Sequence, residues 1–113
     1  MKYMLMLYAD EKAGAAISPK DMAGFMGQLG AYQAALQKAG AFVSTAGLLP
    51  TTTAKTISNA EGNLQVHDGP YADTREQFGG YFMIEAPDMA EAIRLAALCP
   101  AASWGKIEIR TFA

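Results

Sequence analysis

Residues 2–8 read Lys2-Tyr3-Met4-Leu5-Met6-Leu7-Tyr8. Side chains alternate across a strand, so Tyr3, Leu5 and Leu7 share one face while Met4, Met6 and Tyr8 share the other. Both faces are apolar, which predicts a strand covered on two sides. One cover must come from the chain's own helices and the second from elsewhere.

Working outward, Asp10–Ala16 reads as a loop. Ser18-Pro19-Lys20-Asp21 then opens a helix: serine caps, proline sits in the first turn, and the aspartate faces unpaired amides. Met22, Phe25, Met26, Leu29, Tyr32 and Leu36 recur at helical spacing, and Gly40 is a natural stop. Ala41–Leu49 reads as a second strand, ended by Pro50. Lys55–Ser58 and Asn63–His67 flank Asn59-Ala60-Glu61-Gly62, which predicts a short hairpin. Asp68–Gln77 is polar and turn-rich. Gly79-Gly80 leads into a third main strand, Tyr81–Glu85. Pro87-Asp88 with Glu91 opens a second helix with the inner stripe Met89, Ala92, Ile93 and Ala96, stopped by Pro100. Lys106–Phe112 alternates Ile107 and Ile109 against Lys106, Glu108 and Arg110, a strand with one wet face.

The order is β-α-β, a small hairpin, then β-α-β. This is the split pattern of an α+β, ferredoxin-like sheet with both helices on one face and an inserted small hairpin. Water against the other face would meet a large apolar patch. A second copy related by a two-fold axis is the simplest cover, giving a homodimer in which Lys106, Glu108 and Arg110 line or rim a cavity between the sheets.

Bulk properties agree with a single domain over residues 1–113. Hydrophobic residues are 51% and charged residues 18% of the chain, the balance of a globular protein rather than a disordered one. Nine basic and eleven acidic residues are spread along the length for a net charge of −2. No basic stripe exists to neutralise a phosphate backbone, which argues against nucleic-acid binding. One histidine and one cysteine do not make a zinc site of the usual kind, and Cys99 has no partner for an internal disulfide. The short apolar opening is followed by Asp10 and Glu11, unlike a signal peptide or a membrane span. The expectation is a cytoplasmic protein with no membrane contact. No Gly-x-Gly-x-x-Gly, Walker or His-Glu-x-x-His pattern occurs, so no cofactor and no metal are predicted.

The most specific stretch is Asp68-Gly69-Pro70-Tyr71-Ala72-Asp73-Thr74-Arg75-Glu76-Gln77-Phe78-Gly79-Gly80. It resembles the signature of the DGPF branch of YCII-related proteins, Asp-Gly-Pro-Phe-Ala-Glu-Thr-Lys-Glu followed by a Gly-Gly strand start. Tyr71 stands for phenylalanine, Asp73 for glutamate and Arg75 for lysine. The opening Met1-Lys2-Tyr3-Met4, the Gly47-Leu48-Leu49-Pro50 segment and the late Cys99-Pro100-Ala101 are similar to that family as well. The resemblance implies a dimeric α+β barrel and, for many members, genes neighbouring extracytoplasmic-function sigma factors. Some YCII-like relatives resemble enzymes with a His–Asp pair. By this register Gly30 stands where the histidine falls and Cys99 where the aspartate falls, so both members of that pair are absent.

Candidate site residues gather around the signature. Glu76 follows Arg75 and precedes an apolar Phe78, an arrangement that offers a carboxylate a cationic partner and a desolvating wall. An ordinary ion pair is the competing reading. Asp68 serves the Asp-Gly-Pro turn or presents a carboxylate at a sheet edge. His67, the chain's one histidine, adjoins Asp68, although a lone hairpin histidine is usually a surface group. Glu76, Asp68 and His67 are therefore the catalytic candidates, with Arg75, Tyr81, Trp104 and Arg110 as ligand-binding candidates. Trp104 alternatively anchors the turn before the last strand. Cys99, at a helix C-terminus that disfavours a thiolate, reads as a buried small hydrophobe. Gly24, Gly27 and Gly30 each weaken a helix by about 1 kcal/mol relative to alanine, which predicts close approach of another backbone or a ligand.

These features favour a homodimeric module that binds a small molecule or a protein partner, linked to sigma-factor or stress regulation. The rival is a cofactor-independent enzyme acting on a small organic compound, aromatic ones included, in the inter-sheet cavity.

Overall fold

The apolar strand predicted at the start of the chain lies inside the sheet, between two others. In a computed structural model describing residues 1–113, β1 (Lys2–Ala9) pairs antiparallel with β5 (Gln77–Glu85) on one side and β6 (Lys106–Thr111) on the other. The remaining main strand, β2 (Phe42–Gly47), pairs with β5, giving the order β2-β5-β1-β6. This all-antiparallel order is the ferredoxin-like α+β arrangement. A separate two-stranded sheet, β3 (Lys55–Ala60) and β4 (Asn63–Asp68), is inserted between β2 and β5.

The two long helices, α2 (Pro19–Lys38) and α3 (Met89–Ala97), start where their caps are encoded. The Ser18 hydroxyl accepts from the Asp21 amide at 3.1 Å, and the Asp88 carboxylate accepts from the Glu91 amide at 2.9 Å. Just past its C-cap Ala39, α2 is closed by Gly40, whose φ of 71° suits glycine. There the Ala41 amide reaches back to the Leu36 carbonyl and the Gly40 amide to that of Gln37, a Schellman closure.

Tyr3 and Leu5 of β1 and Phe82 and Ile84 of β5 share the helix-facing side of the sheet. They pack against Tyr32 and Leu36 of α2 and Ala92, Leu95 and Ala96 of α3. Alternation puts Met4, Met6, Tyr8, Tyr81 and Met83 on the opposite side, which no helix of this chain covers. The molecule measures 47 × 39 × 19 Å, two layers thick. Its Cα radius of gyration is 15.9 Å, against about 13 Å for a compact chain of this length. The excess comes with an inserted hairpin whose residues are almost all exposed. Ile57, Val66 and Leu64 share one face of it and are each more than half exposed.

Several local expectations are corrected. The segment read as a loop after β1 contains a short helix, α1 (Glu11–Ala15), whose N-cap Asp10 accepts from the Lys12 and Ala13 amides. β5 begins at Gln77 rather than Tyr81 and takes in both glycines. Leu7 pairs with Gly80 and Tyr8 with Phe78, leaving Gly79 as an extra residue in a β-bulge. The bulge moves Phe78 from the helix-facing side to the open side, beside Tyr8. The hairpin turn is Glu61-Gly62 alone, both at positive φ, 54° and 75°, which matches the right-handed twist of the strands. On α3 the buried stripe is Ala92, Leu95 and Ala96, while Met89 and Ile93 are exposed. A Cβ on Gly24, Gly27 or Gly30 meets nothing within 4 Å, so no close approach within the chain accounts for them. Gly105, which the sequence does not mark out, does sit against backbone: a Cβ there would overlap the Tyr8 carbonyl oxygen.

Candidate functional site

The signature segment leaves β4 at Asp68 and returns to the sheet at Gln77, wrapping one end of the open face. Gly69 adopts φ 115°, where glycine is favoured. Its amide donates to the Ala54 carbonyl at 2.8 Å, and its carbonyl accepts from the Thr56 hydroxyl at 2.8 Å. Further along, the Thr74 hydroxyl donates to the Glu76 carbonyl at 2.6 Å and the Gln77 side-chain nitrogen donates to the Thr74 carbonyl at 2.6 Å. These bonds hold the loop as a closed turn against the start of β5.

A cleft of about 620 Å³ opens between this loop and the Leu48-Leu49-Pro50 segment. Tyr8 and Phe78 form one wall, their rings 5.6 Å apart and tilted by 42°. Pro70 and Ala72 of the signature, with Thr51, Thr53, Thr74 and Gln77, complete much of the lining. No lining residue carries a formal charge.

The residue that ties this region together is Glu11, which sequence reasoning missed. Its carboxylate accepts from the Thr51 amide at 2.8 Å and the Thr51 hydroxyl at 2.7 Å, and its own amide donates to the Gln77 side-chain oxygen at 2.9 Å. One residue thus links α1, the turn at Thr51–Thr53 and the start of β5. Nothing in local spacing announces a contact across forty and sixty-six residues. The available hint is an acidic pair, Asp10-Glu11, placed directly after an apolar strand.

The profile of the YCII-related domain matches residues 1–112. The chain belongs to the YCII-related family. An uncharacterised protein of Rhizobium meliloti (strain 1021) is 35% identical over 115 residues, spanning 100% of this chain and 93% of its own length.

Within this YCII-related chain the candidate residues divide into separate groups. His67 and Asp68 lie at the end of β4, both exposed, with Asp68 in an ion pair with Lys55 across the hairpin. Glu76 is less exposed, its side chain 32% accessible, and its carboxylate is 3.5 Å from the Lys106 ammonium of β6. The sequence reading offered Arg75 as its cation. The structure instead brings the carboxylate to Lys106, on β6 and separated from β5 by β1. Arg75 is exposed. Tyr81 lies on the open face opposite Met6, and Arg110 pairs with Glu108 at 3.5 Å on β6. Trp104 stacks on Phe25 of α2 at 5.3 Å and so belongs to the helical side, where it anchors the turn into β6. None of these seven residues lines the cleft. At the two positions where YCII-like relatives resemble His–Asp enzymes, Gly30 is exposed on α2 and Cys99 is buried.

No helix of the chain is long and apolar enough to cross a membrane. No group of three or more His, Cys, Asp or Glu side chains is placed to hold a metal ion.

Proposed function

We propose that this YCII-related protein is a homodimeric, cytoplasmic binding module for a small molecule, with the cleft between the signature loop and Leu48–Pro50 as its site. The observation that carries the reading is the cleft itself. It combines an aromatic wall, a rigid turn and a polar rim at the place where the family signature meets the sheet. Concave, mostly apolar sites with a few fixed polar groups are the usual form of small-molecule pockets. A regulatory module of this kind suits the sigma-factor setting that the DGPF resemblance implies.

The dimer rests on the open sheet face and on the hairpin. Met4, Met6, Tyr81 and Met83 form a continuous apolar field that no helix of this chain covers. An isolated two-stranded hairpin is marginal in water, and here its apolar face of Ile57, Leu64 and Val66 is bare. A second copy across a two-fold axis covers both without new sequence. Light scattering at micromolar concentration should give about twice the monomer mass, and a stable monomer would overturn this assembly. A thermal-shift screen of metabolites should find compounds that raise the melting temperature of the parent and not of Tyr8→Ala. A screen in which nothing distinguishes the two proteins would remove the site.

The second reading, a cofactor-independent enzyme for a small organic compound, draws on Glu76. This carboxylate is only partly accessible and faces Lys106, an arrangement compatible with proton transfer. Asp68 and His67 would assist from β4. Glu76→Gln keeps shape and most hydrogen bonding, so loss of turnover with near-native melting supports catalysis. Loss of folding in both Glu76→Gln and Asp68→Asn, with no ligand response, would make the loop architecture.

A further inference from the structure

We infer that the cleft selects an uncharged, largely apolar molecule whose polar group pairs with the hydroxyl of Tyr8. The inference rests on the proposed site and names the ligand class it takes. It follows from accounting for every side-chain donor in the lining. The Thr51 hydroxyl donates to Glu11, that of Thr53 to the Pro50 carbonyl, and that of Thr74 to the Glu76 carbonyl. Gln77 donates to the carbonyls of Thr74 and Arg75 and accepts from the Glu11 amide. The amides of Leu48, Thr51, Thr53 and Ala54 are engaged within the chain as well. The Tyr8 hydroxyl is the one side-chain donor among the lining residues that makes no bond within the chain. It stands in the aromatic wall beside Phe78.

This inventory discriminates by charge. An anion entering the cleft loses hydration and finds one free side-chain donor and no cation, because Lys106 lies outside the lining and faces Glu76. An organic cation meets threonine oxygens but no lining carboxylate, since both oxygens of Glu11 already accept from Thr51. A neutral molecule has little hydration to lose and stacks its body against Tyr8 and Phe78. Its hydroxyl or carbonyl then exchanges water for Tyr8, an exchange that discriminates by about fivefold to tenfold.

The test uses four probes of one shape on the full-length protein, followed by amide chemical shifts: p-cresol, toluene, 4-methylbenzoate and 4-methylbenzylammonium. The expected result is shifts centred on residues 48–54 and 70–78. In it p-cresol binds about fivefold tighter than toluene and about tenfold tighter than either ion. Tyr8→Phe should melt with the parent and lose the preference for p-cresol over toluene. If either ion binds the cleft as tightly as p-cresol, the ligand class is wrong while the site stands. If Tyr8→Phe keeps the full preference, the role of Tyr8 is wrong. If none of the four probes shifts the cleft residues, the site and its ligand class fall together.

Discussion

The Tyr32 hydroxyl of α2 donates to the Leu95 carbonyl of α3 at 2.7 Å, a side-chain hydrogen bond inside the core that joins the two long helices. The Tyr32 ring meets Phe82 of the sheet edge-on at 5.1 Å, so this one residue contacts both layers. In Tyr32→Phe the ring contact remains. The Leu95 carbonyl also keeps the Leu98 amide at 3.2 Å, so it is not left without a partner. The expected loss is therefore about 1 kcal/mol, the net worth of a hydrogen bond rather than the penalty for an orphaned group. Urea unfolding checks it; a loss several times larger would mean that the helix pair depends on the hydroxyl for its geometry.

Burial pushes the Tyr32 hydroxyl well up from its ordinary value, with the neighbouring Cys99 adding to the shift. The Cys99 thiol is raised as well, mainly by burial, against an opposing hydrogen bond with the Ala101 backbone. Both groups fold in the neutral form and ionise more readily when unfolded. Their contribution is complete below the unfolded values, near 8.5 for a thiol and 10 for a phenol, and is lost as pH rises beyond them. Stability should fall from about pH 9 upward, by up to about 1.4 kcal/mol per pH unit for each group. Tyr32→Phe should flatten the part of the slope above about pH 10. Urea midpoints between about pH 8 and 11 test this, and an unchanged slope in the variant would refute the assignment to Tyr32.

Glu11→Ala removes the acceptor for the Thr51 amide and hydroxyl. The expected cost is about 2 kcal/mol, because bonds to a charged acceptor are stronger than neutral ones. Glu11→Gln should retain most of the stability, since an amide oxygen still accepts and the threonine hydroxyl can reverse its role. Amide exchange at Thr51–Ala54 should quicken in Glu11→Ala. Unchanged exchange there would show that the turn holds without Glu11.

Gly105→Ala forces a methyl group onto the Tyr8 carbonyl oxygen. Backbone atoms in a central strand have little room to retreat, so a loss of about 3 kcal/mol is expected. Chemical-shift changes should concentrate on Tyr8 and Ala9. Alanine at Gly27, where a Cβ meets nothing, should leave these shifts unchanged and raise stability by about 1 kcal/mol. Equal behaviour of the two variants would contradict the packing at Gly105.

Elements encoded by neighbouring residues were readable from the sequence. Ser18 with Pro19, Asp88 with Glu91, and Gly40 mark helix ends through bonds spanning three to five residues, and the alternation in β1 gave both faces of the sheet. Features set by distant parts of the chain were not readable. The start of β5 was hidden because a polar Gln77 and two glycines weaken strand propensity, and the bulge breaks the period of two. α1 is short enough that its cap and the Glu11–Thr51 contact decide it, not its apolar pattern. On α3, Ile93 and Leu95 are both plausible inner residues until the sheet fixes the rotation. At the candidate site, the signature is legible in the sequence and the apolar wall of the cleft is not. Tyr8, Phe78 and Leu48–Pro50 converge only when β2 and β5 pair.

The extra residue at Gly79 separates two design problems that a regular strand would fuse. From Gly80 onward β5 keeps step with the core, and before Gly79 it keeps step with the cleft. Without the offset, any shift that improved the aromatic wall would carry Phe82 and Ile84 out of the helix-facing layer. With it, substitutions before Gly79 reshape the cleft wall without moving Phe82 and Ile84 out of register. Deleting Gly79 would restore a regular pleat, send Phe78 toward the helices, and leave Tyr8 without its neighbour in the wall.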